Sequence, residues 1–140
     1  MTEKICRVVR KYPLSLIVLA TIVYLSFFKP PTIPITPVKY FDKIVHFLMY
    51  GGLCFILWLE YFLTHSKIQV KRVFWWTIVA PILFSGVVEL MQEYLTKHRG
   101  GDIVDFLFNS LGVLCAALFS VFVTKPFVIK YKLWNKRGKD

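Results

Sequence analysis

Four apolar runs divide the chain, and charged residues or prolines border each of them. The runs cover residues 14–28, 42–63, 73–95 and 102–124. Each of the last three has about 20 residues or slightly more, and at 1.5 Å per residue such a helix crosses a hydrocarbon core of roughly 30 Å. The pattern predicts an all-α membrane protein with one domain over residues 1–140, built as a bundle of four transmembrane helices.

Prolines shape two parts of this pattern. Four of them lie within residues 29–37, where they exclude a regular helix and predict an extended connector. Pro81 lies inside the third run, where we expect it to kink the helix and free a backbone carbonyl. No small-residue cleavage site follows the first run, so we interpret that run as an uncleaved anchor.

Lys and Arg residues are divided unequally between the two sides of the predicted bundle. Four precede the first run, three lie in the 64–72 loop and six lie in a basic tail over residues 125–140, whereas five lie on the other side. The positive-inside rule therefore predicts that both termini are cytoplasmic. Trp75 and Trp76 then mark the inner membrane interface.

The composition excludes a soluble nucleic-acid-binding domain. Hydrophobic residues make up 56% of the chain and the mean hydropathy is +0.58, whereas soluble domains have roughly 45–50% apolar residues. The net charge of +10 comes from residues that flank the apolar runs, so it indicates topology and contact with anionic lipid. The three cysteines show no CxxC spacing, which argues against a disulfide framework or a redox site.

Polar and acidic residues gather where the last three runs reach the predicted outer side. Five of the eight acidic residues of the chain lie in this zone. The whole set is Asp42, Lys43, His46, Glu89, Gln92, Glu93, Arg99, Asp102, Asp105 and Asn109. Charged groups deep in a bilayer cost roughly 2.5–3.5 kcal/mol on insertion scales, so we expect these groups to face the bundle interior and to pair.

Helical spacing supports this convergence. Two sets follow the spacing i, i+4, i+7, i+11: Ser85, Glu89, Gln92 and Thr96 in the third run, and Asp105, Asn109, Gly112 and Ala116 in the fourth. Such spacing places each set along one helix face. Counted from the helix ends, Glu89 and Asn109 lie at a similar depth of roughly 10 Å.

Several readings of these residues remain open. Asp42 and Asp102 are expected to be helix caps. The remaining residues form either a polar knot that fixes helix packing or a binding or catalytic pocket open to the outer leaflet. Glu60, near the inner end of the second run, is expected to snorkel or to pair with a loop lysine.

The ordered motifs of the last three runs resemble those of the VanZ-like family, small membrane proteins named for an accessory factor in teicoplanin resistance. The resemblance covers residues 42–112, roughly half of the chain. Its motifs are Asp42-Lys43-x-x-His46-Phe47 with Tyr50, Glu89-x-x-Gln92, Arg99, and Asp105-x-x-x-Asn109-x-x-Gly112. Two positions depart from the family pattern: Asp102 is an extra acidic residue, and Ala116 stands where many relatives have a second glycine.

The resemblance implies a protein of the bacterial cytoplasmic membrane with a site on its outer side, in the part of the envelope where glycopeptides act. As a binding protein, the chain would hold a glycopeptide or a lipid-linked precursor, with phosphates near Lys43 and Arg99. The ligand-binding set would be Asp42, Lys43, His46, Tyr50, Glu89, Gln92, Arg99, Asp105 and Asn109.

Three other function classes stay open. In an enzyme, His46 would be general acid or base, Glu89 or Asp105 would orient it, and Arg99 would stabilise a developing anion on a phosphate or ester. His46, Glu89 and Asp105 also have the residue types of a Zn or Mn site, although the usual histidine spacings are absent. The third class is a structural subunit of a larger membrane complex. The sequence identifies no cofactor.

Overall fold

The computed structural model describes residues 2–28, 40–65, 68–95 and 101–137, and within these ranges every element is helical. This confirms the predicted all-α class. The elements are α1 (Thr2–Lys11), α2 (Pro13–Phe27), α3 (Phe41–Thr64), α4 (Val70–Phe74), the π-helical turn π1 (Trp75–Val79), α5 (Ala80–Leu95), α6 (Ile103–Phe119), the π-helical turn π2 (Ser120–Thr124) and α7 (Lys125–Arg137).

Three helices in the described part of the chain are long and apolar enough to cross a membrane. They are α3, the continuous helix Val70–Leu95 and the continuous helix Ile103–Asn135. The first predicted run forms α2, an apolar helix of 15 residues. A helix of that length is about 22 Å long, which is shorter than a typical hydrocarbon core.

Helical structure extends beyond the predicted boundaries at both ends of the chain. The residues before the first run form α1, which is separated from α2 by Tyr12 alone. The predicted basic tail is helical as far as Arg137, because α7 continues the line of α6. The predicted connector over residues 29–37 lies outside the described residues.

Each π-helical turn ends two residues before a proline. The turn π1 ends at Val79 before Pro81, and π2 ends at Thr124 before Pro126. Proline has no N–H to donate and its ring crowds the carbonyl four residues earlier, so the preceding turn widens. At π1 the Ala80 N–H donates to the Trp75 carbonyl, which is the i→i−5 bond of a π turn. The expected disturbance at Pro81 is therefore a π turn.

The bundle centres on α3 and α6, which pack most closely. A side chain at Gly112 would overlap the backbone carbonyl of Phe47, and one at Gly51 would lie 3.1 Å from the Gly112 oxygen. Only glycine permits this approach of two backbones, as in other tightly packed membrane helices. The contact fixes the relative depth of α3 and α6.

Glu60 holds the start of α2, and the expectation that it snorkels or pairs with a loop lysine is wrong. Its carboxylate is buried and accepts hydrogen bonds from Leu14 N (2.8 Å), Ser15 N (3.2 Å) and Ser15 Oγ (2.5 Å). The first N–H groups of a helix have no partner inside the helix and carry partial positive charge, so they attract a carboxylate. Glu60 thereby ties α3 to α2.

Candidate functional site

The candidate site lies at one end of the bundle, named here the acidic end, where α3 and α6 begin and α5 ends. Asp102 caps α6 as predicted, because its carboxylate accepts from Val104 N at 2.8 Å. Asp42 does not cap α3, since the N-cap residue is Tyr40. Asp42 lies in the first turn and pairs with Lys43 instead, with 3.2 Å between Nζ and Oδ2.

Lys43 joins the starts of α3 and α6 through three carboxylates. Besides Asp42, its ammonium contacts Asp102 at 2.7 Å and Asp105. The Lys43 side chain is 12% exposed and that of Asp105 is 11% exposed, so this pair is largely removed from solvent. Asp102 accepts hydrogen bonds from the Lys43 ammonium and from the Val104 N–H, and these bonds hold the pKa of Asp102 below its ordinary value.

His46 lies one turn deeper, buried between carboxylates of two other helices. Its Nδ1 is 3.1 Å from Asn109 Oδ1 and 3.8 Å from Glu89 Oε1. Its Nε2 is 3.4 Å from Asp105 Oδ2. The imidazole therefore bridges α5 and α6, with a carboxylate near each nitrogen.

Glu89 and Glu93 connect α5 to the start of α6. Glu89 accepts a hydrogen bond from Asn109 Nδ2 at 3.2 Å, and its other oxygen lies 3.4 Å from the Asp102 N–H. Glu93 accepts from Gly101 N at 2.8 Å. A side chain at Gly101 would collide with the Glu89 carbonyl, so only glycine lets this segment lie so close to α5. Sequence reasoning missed this role of Gly101, for which the Gly100-Gly101 pair was the available signal.

The structure brings His46, Glu89, Asp105 and Asn109 together, with Lys43 beside them. Two other predicted residues are buried nearby and make further contacts. Gln92 donates to the Ser26 carbonyl of α2 at 2.8 Å, so it also links α5 to α2. Tyr50 is buried against Phe84, with 6.4 Å between ring centroids. Arg99 lies outside the described residues.

His46, Glu89 and Asp105 each offer one ligand atom, and these atoms lie within 4.8 Å of one another. All three residues are buried. Nitrogen and carboxylate ligands of this kind suit Zn or Mn. A cation there would compete with Lys43 for Asp105, because the ammonium already pairs with that carboxylate.

An apolar groove of about 520 Å³ runs along α5 and α6 and ends beside Glu89 and Asp102. Its apolar residues include Leu83, Val87, Leu90, Ile103 and Phe106. Leu83, Leu90 and Ile103 are 61–70% exposed, so the groove opens sideways, away from the bundle core. Such a groove suits a hydrocarbon chain whose polar end meets the acidic end.

Comparison with known protein families gives a match over most of the chain. The model of the family described as VanZ/LLP1 matches residues 4–124, which is most of the chain. All the site residues named above fall within this range. No curated protein and no solved structure matches the chain.

Proposed function

This chain belongs to the VanZ/LLP1 family, and on that premise we propose that it binds a lipid-linked envelope precursor at its acidic end. In this proposal α2, α3, Val70–Leu95 and Ile103–Asn135 are four crossings of a bacterial cytoplasmic membrane. The positive-inside rule puts both termini in the cytoplasm and the acidic end outside. There the precursor exposes its sugar and peptide groups.

The observation that carries the proposal is the convergence of carboxylates from three helices beside an apolar groove. Asp42 and Lys43 come from α3, Glu89 and Glu93 from α5, and Asp102 and Asp105 from the start of α6. In the described part of this cluster, carboxylates outnumber the lysine and His46. An excess of carboxylates favours a ligand that offers hydroxyl, amide or ammonium groups.

Lys43 contributes differently from the sequence-based expectation. Because its ammonium already contacts Asp42, Asp102 and Asp105, we do not assign it to a ligand phosphate. Its proposed role is to hold the carboxylates in place. The sugar or peptide part of the precursor then meets the acidic cluster, and the lipid chain follows the groove past Leu90 and Phe106.

Charge-removing variants test this proposal. Glu89→Gln and Asp105→Asn keep the side-chain volume and most hydrogen bonds but remove the charge, and Glu3→Gln on exposed α1 is the matched control. We expect both site variants to accumulate normally, to bind lipid-linked precursor about tenfold more weakly, a loss of about 1.4 kcal/mol, and to lose any effect on glycopeptide susceptibility. Binding of the folded fraction is measured in nanodiscs.

Wild-type binding and phenotype in both site variants, at equal protein levels, would contradict a ligand site. Buried polar contacts in membrane bundles contribute roughly 0.6 kcal/mol on average, and an amide replaces many of them. That outcome would favour the polar knot, and with it a structural subunit of a larger membrane complex.

One observation favours a second candidate, a membrane enzyme that acts on an envelope phosphate or ester. His46 is buried with Asp105 3.4 Å from Nε2 and Glu89 3.8 Å from Nδ1. A carboxylate on one nitrogen can orient the ring while the other nitrogen transfers a proton. Mass spectrometry of precursor incubated with wild type and His46→Gln tests this. A product that forms with wild type alone supports the enzyme, and one that also disappears with chelator supports a metal at His46, Glu89 and Asp105.

A further inference from the structure

A second cavity, of about 560 Å³, lies at the opposite end of the bundle, named here the basic end. It is bounded by α1 and α2, by α3 and by the Val70–Leu95 helix. Basic side chains of three segments line it: Arg7 and Lys11 of α1, His65 after α3 and Arg72 of α4. We propose that this cavity binds an anionic phospholipid of the bilayer, with the headgroup among these basic residues.

The charge of the cavity favours an anionic occupant. Among the described residues that line it, none is acidic. The neighbouring carboxylate of Glu60 accepts three hydrogen bonds from Leu14 and Ser15 at the start of α2, and is therefore committed to that helix end. Arg7, Lys11 and Arg72 are left to attract a phosphate, as basic residues at a membrane surface do.

The walls of the cavity suit an acyl chain. Beyond the basic side chains the lining consists of Leu16, Leu19, Leu53, Leu57 and Phe84. Its volume falls within the range of roughly 300–1,000 Å³ of small-ligand sites, so it can hold the headgroup and part of an acyl chain while the rest of the lipid stays in the bilayer. A free phosphate or a short polar anion would leave this apolar surface uncovered, so we commit the proposal to a phospholipid.

Access from the bilayer is provided beside the π turn. Trp76 and Thr77 of π1 line the cavity together with Pro81, so the widened turn forms part of its wall. Trp76 is 68% exposed and Leu16 is 37% exposed, which places apolar surface at the rim. Tryptophan prefers the headgroup level of a membrane. A phospholipid can thus enter sideways with its headgroup beside Trp76.

The end of α3, beside the cavity, is held in place by several contacts. His65 stacks on Tyr61 with 4.4 Å between ring centroids. Lys132 of α7 donates to the carbonyls of Phe62 and His65, at 2.5 and 3.2 Å, and so closes the end of α3. Gln69 N donates to the Tyr61 hydroxyl at 3.0 Å, which connects the residue before α4 to the same tyrosine ring. These contacts hold His65 and the segment that leads to α4 in place at the edge of the cavity.

Native mass spectrometry of the full-length protein tests the proposal. Wild type and two double variants are each offered phosphatidylglycerol and phosphatidylcholine with the same acyl chains. The cavity variant is Arg7→Gln/Arg72→Gln, and the control is Arg10→Gln/Lys130→Gln. The second variant removes the same charge from exposed residues that do not line the cavity. We expect wild type and this control to retain phosphatidylglycerol preferentially, and the cavity variant to retain it about tenfold less.

Three outcomes would overturn the proposal. Equal loss in both double variants would indicate attraction by total charge without a site. Equal retention of the two lipids by wild type would mean that the headgroup charge is not recognised. Displacement of the lipid by millimolar glycerol phosphate as effectively as by phosphatidylglycerol would indicate an anion site. Because the substitutions are on exposed side chains at the basic end, precursor binding at the acidic end should not change.

Discussion

Glu60 shows how one buried carboxylate can connect two helices. It closes the first turn of α2 through Leu14 and Ser15, which lie 46 and 45 residues away in the sequence. Hydrogen bonds to a charged group contribute about 1.5–3 kcal/mol each in favourable cases. Even one such bond is worth that much, so Glu60→Ala, which removes all three, should destabilise the protein by at least about 1.5–3 kcal/mol and lower its Tm in detergent, and Glu60→Gln should lower it less.

The matched control for this prediction is Glu3→Ala, because Glu3 is exposed in the first turn of α1. We expect no measurable change for that variant. If Glu60→Ala melts at the wild-type temperature, the three hydrogen bonds do not stabilise α2.

Lys43 gives the acidic end a pH dependence. Its ammonium holds the pKa of Asp102 below the ordinary value, so this pairing stabilises the folded state above the unfolded pKa of about 3.9 and is lost as the pH falls through the lowered value. Lys43→Met should therefore lower Tm most near neutral pH. The difference from wild type should shrink towards about pH 3, as the carboxylates become protonated in both proteins.

Thermal unfolding at a series of pH values measures this effect. Lys130→Met, on exposed α7, removes the same charge far from the cluster and should follow the wild-type profile at every pH. A Lys43→Met defect of constant size from pH 7 to about pH 3 would show that the side chain stabilises the site by packing.

At the scale of elements, substitution of two glycines by alanine should change the stability of the protein in opposite directions. Gly112 faces the Phe47 carbonyl at the crossing of α3 and α6, whereas a side chain at Gly52 would meet nothing within 4 Å. Gly112→Ala should force the helices apart and cost about 1–3 kcal/mol. Gly52→Ala should stabilise α3 by about 0.5–1 kcal/mol, because alanine loses less backbone entropy in a helix. Thermal unfolding in one detergent compares both variants, and equal effects would contradict the close crossing.

The elements were partly predictable because apolar length and proline are local signals. The second and third runs match α3 and the Val70–Leu95 helix within a few residues. Pro81 was expected to disturb its helix, but whether the disturbance is a kink or a π turn depends on packing around it. The fourth run was predicted to end at residue 124, whereas the helix continues through π2 into α7 as far as Arg137.

Helical spacing predicted the candidate site only in part. It shows which residues share one face of a helix, but not how neighbouring helices are rotated against each other. Spacing on the third and fourth runs placed Glu89, Asp105 and Asn109 on interior faces, and the structure buries all three. It grouped Gln92 with them as well, but it could not show that Gln92 also donates to Ser26 of α2. The rotation of α5 against its neighbours depends on contacts between distant residues. Glu60 was misread for the same reason, since its partners lie 46 and 45 residues away.

For the whole molecule, the crossing of α2 decides the topology. With 15 residues α2 is short for a bilayer, but it is tied to both levels of the bundle: Glu60 holds its start near the end of α3, and Gln92 contacts Ser26 near the end of α5. Local thinning of the bilayer can accommodate such a mismatch. We therefore expect α2 to cross, which puts Cys6 on the opposite side from the residue 29–37 connector.

Thiol labelling in intact cells measures this topology. Cys6 is exposed and Cys54 is buried. The first variant keeps Cys6 and replaces Cys54 and Cys115 with serine. Each of the other three variants carries one new cysteine as its single cysteine, at Thr36, Lys97 or Lys136. An impermeant reagent should label the Thr36 and Lys97 positions in intact cells, and the Cys6 and Lys136 positions only after permeabilisation, because the Lys- and Arg-rich segments stay in the cytoplasm. The reverse pattern would mean an inverted bundle with the acidic end inside. Labelling of Cys6 together with Thr36, while Lys136 stays protected, would mean that α2 does not cross and that the protein has three crossings.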